Sequence, residues 1–396
     1  MNKKSGMMAF SILMLSLLPM STGATAATIP GLMKQFSSVS SETAELTVTI
    51  PSFTMALMIV IASFIVKRIG TKKMVLTGTA LTAVGAVLSM TAPSVSVLLI
   101  ARAIMGAGIG TFNTLCISLI DRLYSGQQRE KLLGFQNTFQ GLGAAGGALG
   151  VGLILMYSNW RMAFSIYLVS IVLFVLYLLF VPEVRYDAES VEKNTNENED
   201  VKVPLTSKVQ FGYYWIVMFI LMVFYMTVNV KIPTFILNNN FGPLSVGSSA
   251  VVVMSVGTII GGLIYGYVES IVKEATLVMA IVIEAIGVFM ISTSGSATAC
   301  FIGAFSVGFS FGLFIPFIFS KGLSFVPKKY GNDATTILML STNGANFLCP
   351  YVSKFINVGG TDRSLFMIAG IIASVLGVIE LIKLFANNSR RTVTES

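Results

Sequence analysis

Twelve apolar stretches, each about 20 residues long, alternate with short polar segments along the chain, and about 20 apolar residues is the length at which a helix crosses the hydrocarbon core of a bilayer. They lie at 7–29, 46–66, 74–92, 97–120, 132–156, 163–181, 212–237, 246–268, 275–293, 297–320, 334–356 and 364–386. Each is expected to be one membrane-spanning helix, which makes the chain an all-α, polytopic membrane protein. The composition agrees. Of 396 residues 54% are hydrophobic and 11% charged, with mean hydropathy +0.81, and so few charges cannot coat a soluble surface, where about 25% is usual.

The formal net charge of +8 could suggest a nucleic-acid partner, but its placement points to membrane topology instead. With both termini on the cytoplasmic side, 20 of the 26 Lys and Arg residues fall on that side. Only Lys34, Arg161, Lys231, Lys354 and Arg363 fall outside, and Arg102 lies within a span. A four-to-one bias sets the orientation by the positive-inside rule. The surroundings are then the lipid bilayer of a cell's plasma membrane, with no nucleic acid. There is no His, and Cys116, Cys300 and Cys349 sit in separate apolar runs without a CxxC pair, so neither a metal site nor a disulfide is expected. No nucleotide-binding loop is visible and no cofactor is implied.

An internal repeat divides the chain. Ile29-Pro30 recurs as Ile232-Pro233, Gly106 and Gly110 as Gly308 and Gly312, and Arg161 and Phe164 as Arg363 and Phe366, at an offset of 202 or 203. The expected domains are a six-helix half at 1–182, a linker at 183–210 and a second six-helix half at 211–396. Parallel repeats of this kind characterise secondary transporters, whose substrate site lies between the repeats near the membrane midplane. The linker, with ESVEKNTNENED at 189–200, has no apolar periodicity and should be solvated. Lys3, Lys4 and Ala24-Thr25-Ala26 imitate a cleavable signal peptide. The repeat argues that the first run is retained, because the run before Ile232-Pro233 would otherwise lack a counterpart.

An ionised arginine inside a spanning helix costs roughly 2.5 kcal/mol or more, so it persists only where it meets a cavity or a partner. Arg102 shares one helical face with Gly106, Ile109 and Asn113. It either bonds the carbonyl groups of a neighbouring helix or serves the substrate or proton; the second is the expectation. Neutral amides at Gln136, Asn137, Gln140, Asn229, Asn343 and Asn346 could orient a substrate or join helices. Glu284 is expected to be the only carboxylate deep inside a span, on a small-residue stripe with Ala280 and Gly287. A structural role is expected for it.

These stretches carry a resemblance. Arg102 with Gly106, Gly108 and Gly110, Arg129 with Gly134, and Trp160, Arg161 and Phe164 resemble the major facilitator superfamily, and in particular its drug:proton antiporter branch. The resemblance implies a non-enzymatic, monomeric transporter of twelve helices in two pseudo-symmetric halves, with helices 1, 4, 7 and 10 lining a cavity. It implies proton-coupled efflux of small apolar or amphipathic compounds, with ion-coupled uptake of a neutral solute as the alternative and a transporter-like sensor as a remote one. The substrate and proton pathway would then include Arg102, Asn113, Asn137, Gln140, Asn229, Asn343 and Asn346. Two departures stand out: span 1 carries no acidic residue, which argues against a cationic substrate, and Gly147 stands where the antiporter glycine motif at 146–150 has proline, which argues against antiport.

The stretch SFIVKRIGTKK at 63–73 resembles the family's loop between helices 2 and 3, with Arg68, Gly70, Lys72 and Lys73 in place and Lys67 where an aspartate is usual. A charge-reversed gate follows as an expectation. Lys67 would pair with Asp333 at the start of span 11, Lys131 with the repeat-related Glu269, and Asp121 would hold Arg68.

Overall fold

The computed structural model describes residues 3–183, 204–327 and 330–395, and all regular structure among them is helical. The first span is broken into α1 (Lys3–Leu15), α2 (Leu17–Met20), a 3₁₀ segment (Ser21–Thr28) and α3 (Ile29–Gln35). Spans 2 to 5 are α4 (Ser41–Ile69), α5 (Thr71–Thr91), α6 (Val95–Leu123) and α7 (Gly126–Tyr157). Span 6 is a 3₁₀ segment (Met162–Leu168) running into α8 (Val169–Phe180). The remaining six are α9 (Leu205–Asn238), α10 (Leu244–Val272), α11 (Ala275–Ser292), α12 (Ala297–Ser324), α13 (Gly331–Ile356) and α14 (Asp362–Glu395).

Ten of these helical stretches are long and apolar enough to cross a membrane, and the bent first pair, Gly6–Pro19 with Thr22–Gln35, makes an eleventh. The 26-residue α13 has the length but is not among them, since it carries Asn332, Asp333, Asn343 and Asn346. Large apolar side chains such as Phe64, Leu153, Leu263 and Ile382 are exposed. On a soluble protein so much exposed apolar surface would drive aggregation; here it is the surface that meets lipid.

The chain divides into two compact units, Met1–Lys202 with Asn346–Pro350, and Val203–Ala345 with Tyr351–Ser396. Most of the segment expected as a linker lies outside the described residues. Its last part, from Leu205, is already the first turn and a half of α9, which begins directly after Pro204.

Within each unit the same glycine contacts recur. In lipid, helices associate through close packing of small residues. A Cβ on Gly85 of α5 would stand 2.8 Å from the carbonyl oxygen of Ala101, and one on Gly287 of α11 would stand 2.8 Å from that of Gly303. Likewise a Cβ on Gly110 would lie 2.8 Å from Met55 Cα on α4, and one on Gly312 would lie 2.5 Å from Thr258 O on α10. These pairs are related by the repeat offset. The helix starts repeat too: the Ser94 and Ser296 hydroxyls accept the N–H groups of Val97 at 3.4 Å and Ala299 at 3.3 Å, capping α6 and α12.

Candidate functional site

The centre of the first unit is the break in its first span. Two local causes produce it. Pro19 has no N–H for the helical ladder, and Thr22, Thr25 and Thr28 recur every third residue, the period of a 3₁₀ helix. Their hydroxyls donate to the carbonyl groups three residues back, Pro19, Thr22 and Thr25, at 3.1, 3.1 and 2.7 Å. The two sides of the break meet at 41°.

A broken helix inside a membrane leaves backbone carbonyl groups that need donors from elsewhere. Beside the threonine hydroxyls, Arg102 of α6 supplies one such donor. Its Nη2 donates to Thr22 O at 3.3 Å and to Thr25 Oγ1 at 3.1 Å. Its Nε donates to Thr47 O of α4 at 2.8 Å, and Nη1 reaches Met105 Sδ at 3.4 Å. The guanidinium carbon lies 5.3 Å from the ring centroids of both Phe164 and Tyr167, so two aromatic faces add cation–π attraction. The side chain is 0% exposed, and in this conformation its donors go to α4, to the break and to Met105 of its own helix.

Other elements of the unit close on the same place. A Cβ on Gly143 would overlap Leu17 O, so α7 lies directly against the break. The face of Arg102, Gly106 and Ile109 packs toward α4: Gly106 sits against Pro51 and Thr54. The Thr49 hydroxyl is buried near these elements with no hydrogen-bond partner among the described residues. Trp160 Nε1 donates to Gln35 Oε1 at 2.9 Å and its ring meets Phe164 edge-on at 6.2 Å. Thus the tryptophan and phenylalanine of NWRMAF hold α3 and Arg102 from one side.

The expected loop contact between spans 2 and 3 contains a residue the sequence reading passed over. Glu183, just after α8, accepts the Lys72 N–H at 3.3 Å, while Lys72 Nζ donates to Leu178 O at 2.9 Å. The start of α5 and the end of α8 cap one another. Gly70, at φ +84°, leaves room for Glu183.

The other sequence-predicted residues are scattered. Asn113 and Gln140 are half-buried and Gln136 is buried. Asn229 on α9 is buried, and among the described residues its Oδ1 and that of Asn346 on α13 have no hydrogen-bond partner. Asn343 Nδ2 donates to Met339 O at 2.9 Å, within its own helix. Arg68, Lys131, Glu269 and Asp333 are exposed. The side chains of Lys67, Asp121 and Asn137 lie outside the described residues. Glu284 is 0% exposed, and among the described residues neither of its oxygens has a hydrogen-bond partner, at the tight contact of α11 with α12. It is not alone in burial: Glu45 on α4 and Glu380 on α14 are 4% and 6% exposed. Both stand near the ends of their apolar runs, where sequence does not separate a solvated carboxylate from a buried one. Among the described residues no cluster of His, Cys, Asp and Glu could hold a metal ion.

The family model of the major facilitator superfamily matches residues 11–345. No curated protein matches the chain by sequence. Among solved structures it is similar to the peptide transporter POT in complex with sulfate, with a TM-score of 0.75 at 14% identity, covering 94% of this chain and 93% of that one. It is similar also to the D-xylose–proton symporter, with a TM-score of 0.75 at 15% identity over 96% and 97% of the two chains. A POT family transporter in complex with a thioalcohol-conjugated peptide gives a TM-score of 0.73 at 13% identity, over 96% of each chain. At such identities the likeness is one of fold, and the two-fold repeat of glycine contacts agrees with it. The family match covers most of the chain, which is a transporter of the major facilitator superfamily.

Proposed function

We propose that this chain is a proton-coupled secondary transporter that carries a small neutral solute by alternating access. The observation that carries the reading is the broken first span held by Arg102. Discontinuous helices with unsatisfied carbonyl groups are the parts from which transporter sites are built. Here the guanidinium donates to one carbonyl oxygen and one hydroxyl of the break, those of Thr22 and Thr25. The pathway residues of this reading are Arg102, acting through the break, and the amides Asn113, Asn137, Gln140, Asn229, Asn343 and Asn346. Uncharged amides at these positions, and the absence of an acid from span 1, support a neutral solute over a cationic one.

Inward symport is the direction we favour. It is supported by a similar solved structure that is itself a proton symporter. Efflux of apolar or amphipathic compounds is the second reading, supported by the resemblance of 146–150 to the antiporter glycine motif. Gly146 has open space where its Cβ would be, so close packing does not account for that glycine.

Purified protein in liposomes loaded with a pH-sensitive dye tests both. Under symport, adding solutes from a panel of sugars, short peptides and amphipathic compounds acidifies the lumen. Under antiport, the same addition to acid-loaded liposomes makes it more alkaline. A panel in which no solute moves protons, while the protein remains folded, overturns the reading.

A further inference from the structure

A second cluster of charged and aromatic side chains lies in the second unit, where α9 begins and α12 ends. Glu380 of α14 is buried, and the Tyr213 hydroxyl donates to its Oε1. Lys383 Nζ stands 3.9 Å from that same oxygen. The ammonium also lies 3.5 Å from the ring centroid of Tyr213 and 4.8 Å from that of Tyr214. Two aromatic faces and a carboxylate around one ammonium is the composition that recognises alkylammonium ligands.

The contacts continue outward. Tyr214 stacks on Phe325 at 5.8 Å and 14°. Lys321 lies 5.9 Å over the Phe325 ring and 3.0 Å from Glu274 Oε1. One chain of contacts therefore joins α14, α9, the end of α12 and the turn between α10 and α11.

The position of Glu380 also has a counterpart that meets a lysine in the first unit. At the offset of 202, Glu380 corresponds to Leu178 and Glu274 to Lys72. In the first unit it is Lys72 whose ammonium reaches the backbone of Leu178. An ammonium thus meets position 178 from α5 in the first unit and the equivalent position 380 from the same helix in the second. The first receives it with a carbonyl oxygen, the second with a buried carboxylate and two rings.

We propose that Tyr213, Tyr214 and Glu380 form an ammonium cage whose resident occupant is Lys383, and that this cage latches α14 to the start of α9. Its ligand class is a primary alkylammonium, supplied here by the chain itself. A buried carboxylate stripped of its cation is strongly unfavourable, so the latch holds while the lysine is in place. Vacating the cage leaves a site that a free ammonium can enter.

The test uses purified full-length protein and methylammonium chloride, and does not depend on knowing the transported solute. Lys383→Ala is expected to lower the thermal unfolding midpoint. Methylammonium should recover about half of that loss or more in a saturable way, since a ligand of the folded state raises its stability, whereas sodium chloride at equal ionic strength should not. Wild type, with its cage filled, and Glu380→Gln/Lys383→Ala, with no carboxylate, should show no specific shift. Hydrogen exchange across 205–214 should quicken in Lys383→Ala and slow again with methylammonium. If Lys383→Ala is recovered only as aggregate, methylammonium present from solubilisation onward should give monodisperse protein. The proposal is overturned if Lys383→Ala melts like wild type. It is overturned equally if methylammonium shifts Lys383→Ala no more than sodium chloride does or shifts wild type as much, or if it fails to rescue an aggregated variant.

Discussion

Arg363 Nη1 donates to the carbonyl oxygen of Ser292 at 3.0 Å, tying the start of α14 to the last residue of α11. Its Nε and Nη2 reach Asn239 Oδ1 at 3.3 and 3.1 Å, and the guanidinium lies 5.5 Å from the Phe235 ring centroid. The repeat-related Arg161 donates to Ala92 O at the end of α5 and stands 4.7 Å over Trp160. Each unit thus pins its third and sixth spans with one arginine at a helix C-terminus, where the dipole favours a cation.

Arg363→Ala is expected to lower stability by about 1 kcal/mol, because a charge-assisted hydrogen bond of this exposure is weakened by solvent. Arg161→Ala, with the same carbonyl contact and two aromatic neighbours, should lose a similar amount. Denaturant titration of the purified variants measures both. Wild-type midpoints for the two would show that neither contact holds the helices together.

Arg102→Gln is expected to reach the membrane and purify as a monodisperse species, yet to lose transport by about tenfold or more, which is about 1.4 kcal/mol in the rate-limiting barrier. Glutamine can replace one of the bonds to Thr47, Thr22 and Thr25, not the fork that spans them. Lysine, a compact ammonium without that planar fork, should fail as well. Transport at the wild-type rate by either variant would remove the arginine from the mechanism.

Two turns that the repeat places in register test backbone conformation. Gly70 has φ +84° and Lys273 has φ +49°. A side chain at Gly70 would be strained by about 1–2 kcal/mol, and its Cβ would also stand 2.5 Å from Glu183 Oε1. Gly70→Ala should therefore destabilise the first unit and free the start of α5 to exchange amide hydrogens faster. Lys273→Gly should be neutral or stabilising by up to about 1 kcal/mol. Paired melting curves decide the point: a lowered midpoint for Gly70→Ala beside an unchanged or raised one for Lys273→Gly is expected, and a lowered midpoint for Lys273→Gly would overturn it.

Glu284→Gln is expected to preserve solute-driven proton movement in the liposome assay. The carboxyl group is fully buried against α12 and its oxygens have no hydrogen-bond partner among the described residues. Glutamine matches its shape while staying uncharged, so packing at Gly287 and Gly303 survives. Loss of proton movement with unchanged folding would make Glu284 the coupling group.

Much of this molecule was legible in its sequence because the governing rules are local. Apolar runs of bilayer length specify helices, and an offset of about 202 specifies two like units. The paired glycines at 106 and 110, and at 308 and 312, announce close helix contact before any partner is known. Arg102 announced itself by the cost of a charge in a span. What it bonds did not follow, since Thr47 and Thr22 lie 55 and 80 residues away and only tertiary packing brings them within reach. The break in the first span was written in Pro19 and the three-residue spacing of Thr22, Thr25 and Thr28. It could not be told from an ordinary spanning helix until Arg102 and Gly143 were seen to rest against it. The burial of Glu380 beside a half-buried Lys383 was decided by tertiary structure alone. Periodicity places both on the last helix, but the two tyrosines that enclose the lysine come from α9, about 170 residues earlier in the chain. Hydropathy patterns record what a residue prefers within its own helix, whereas the partner of a buried charge is chosen by whichever helix packs beside it.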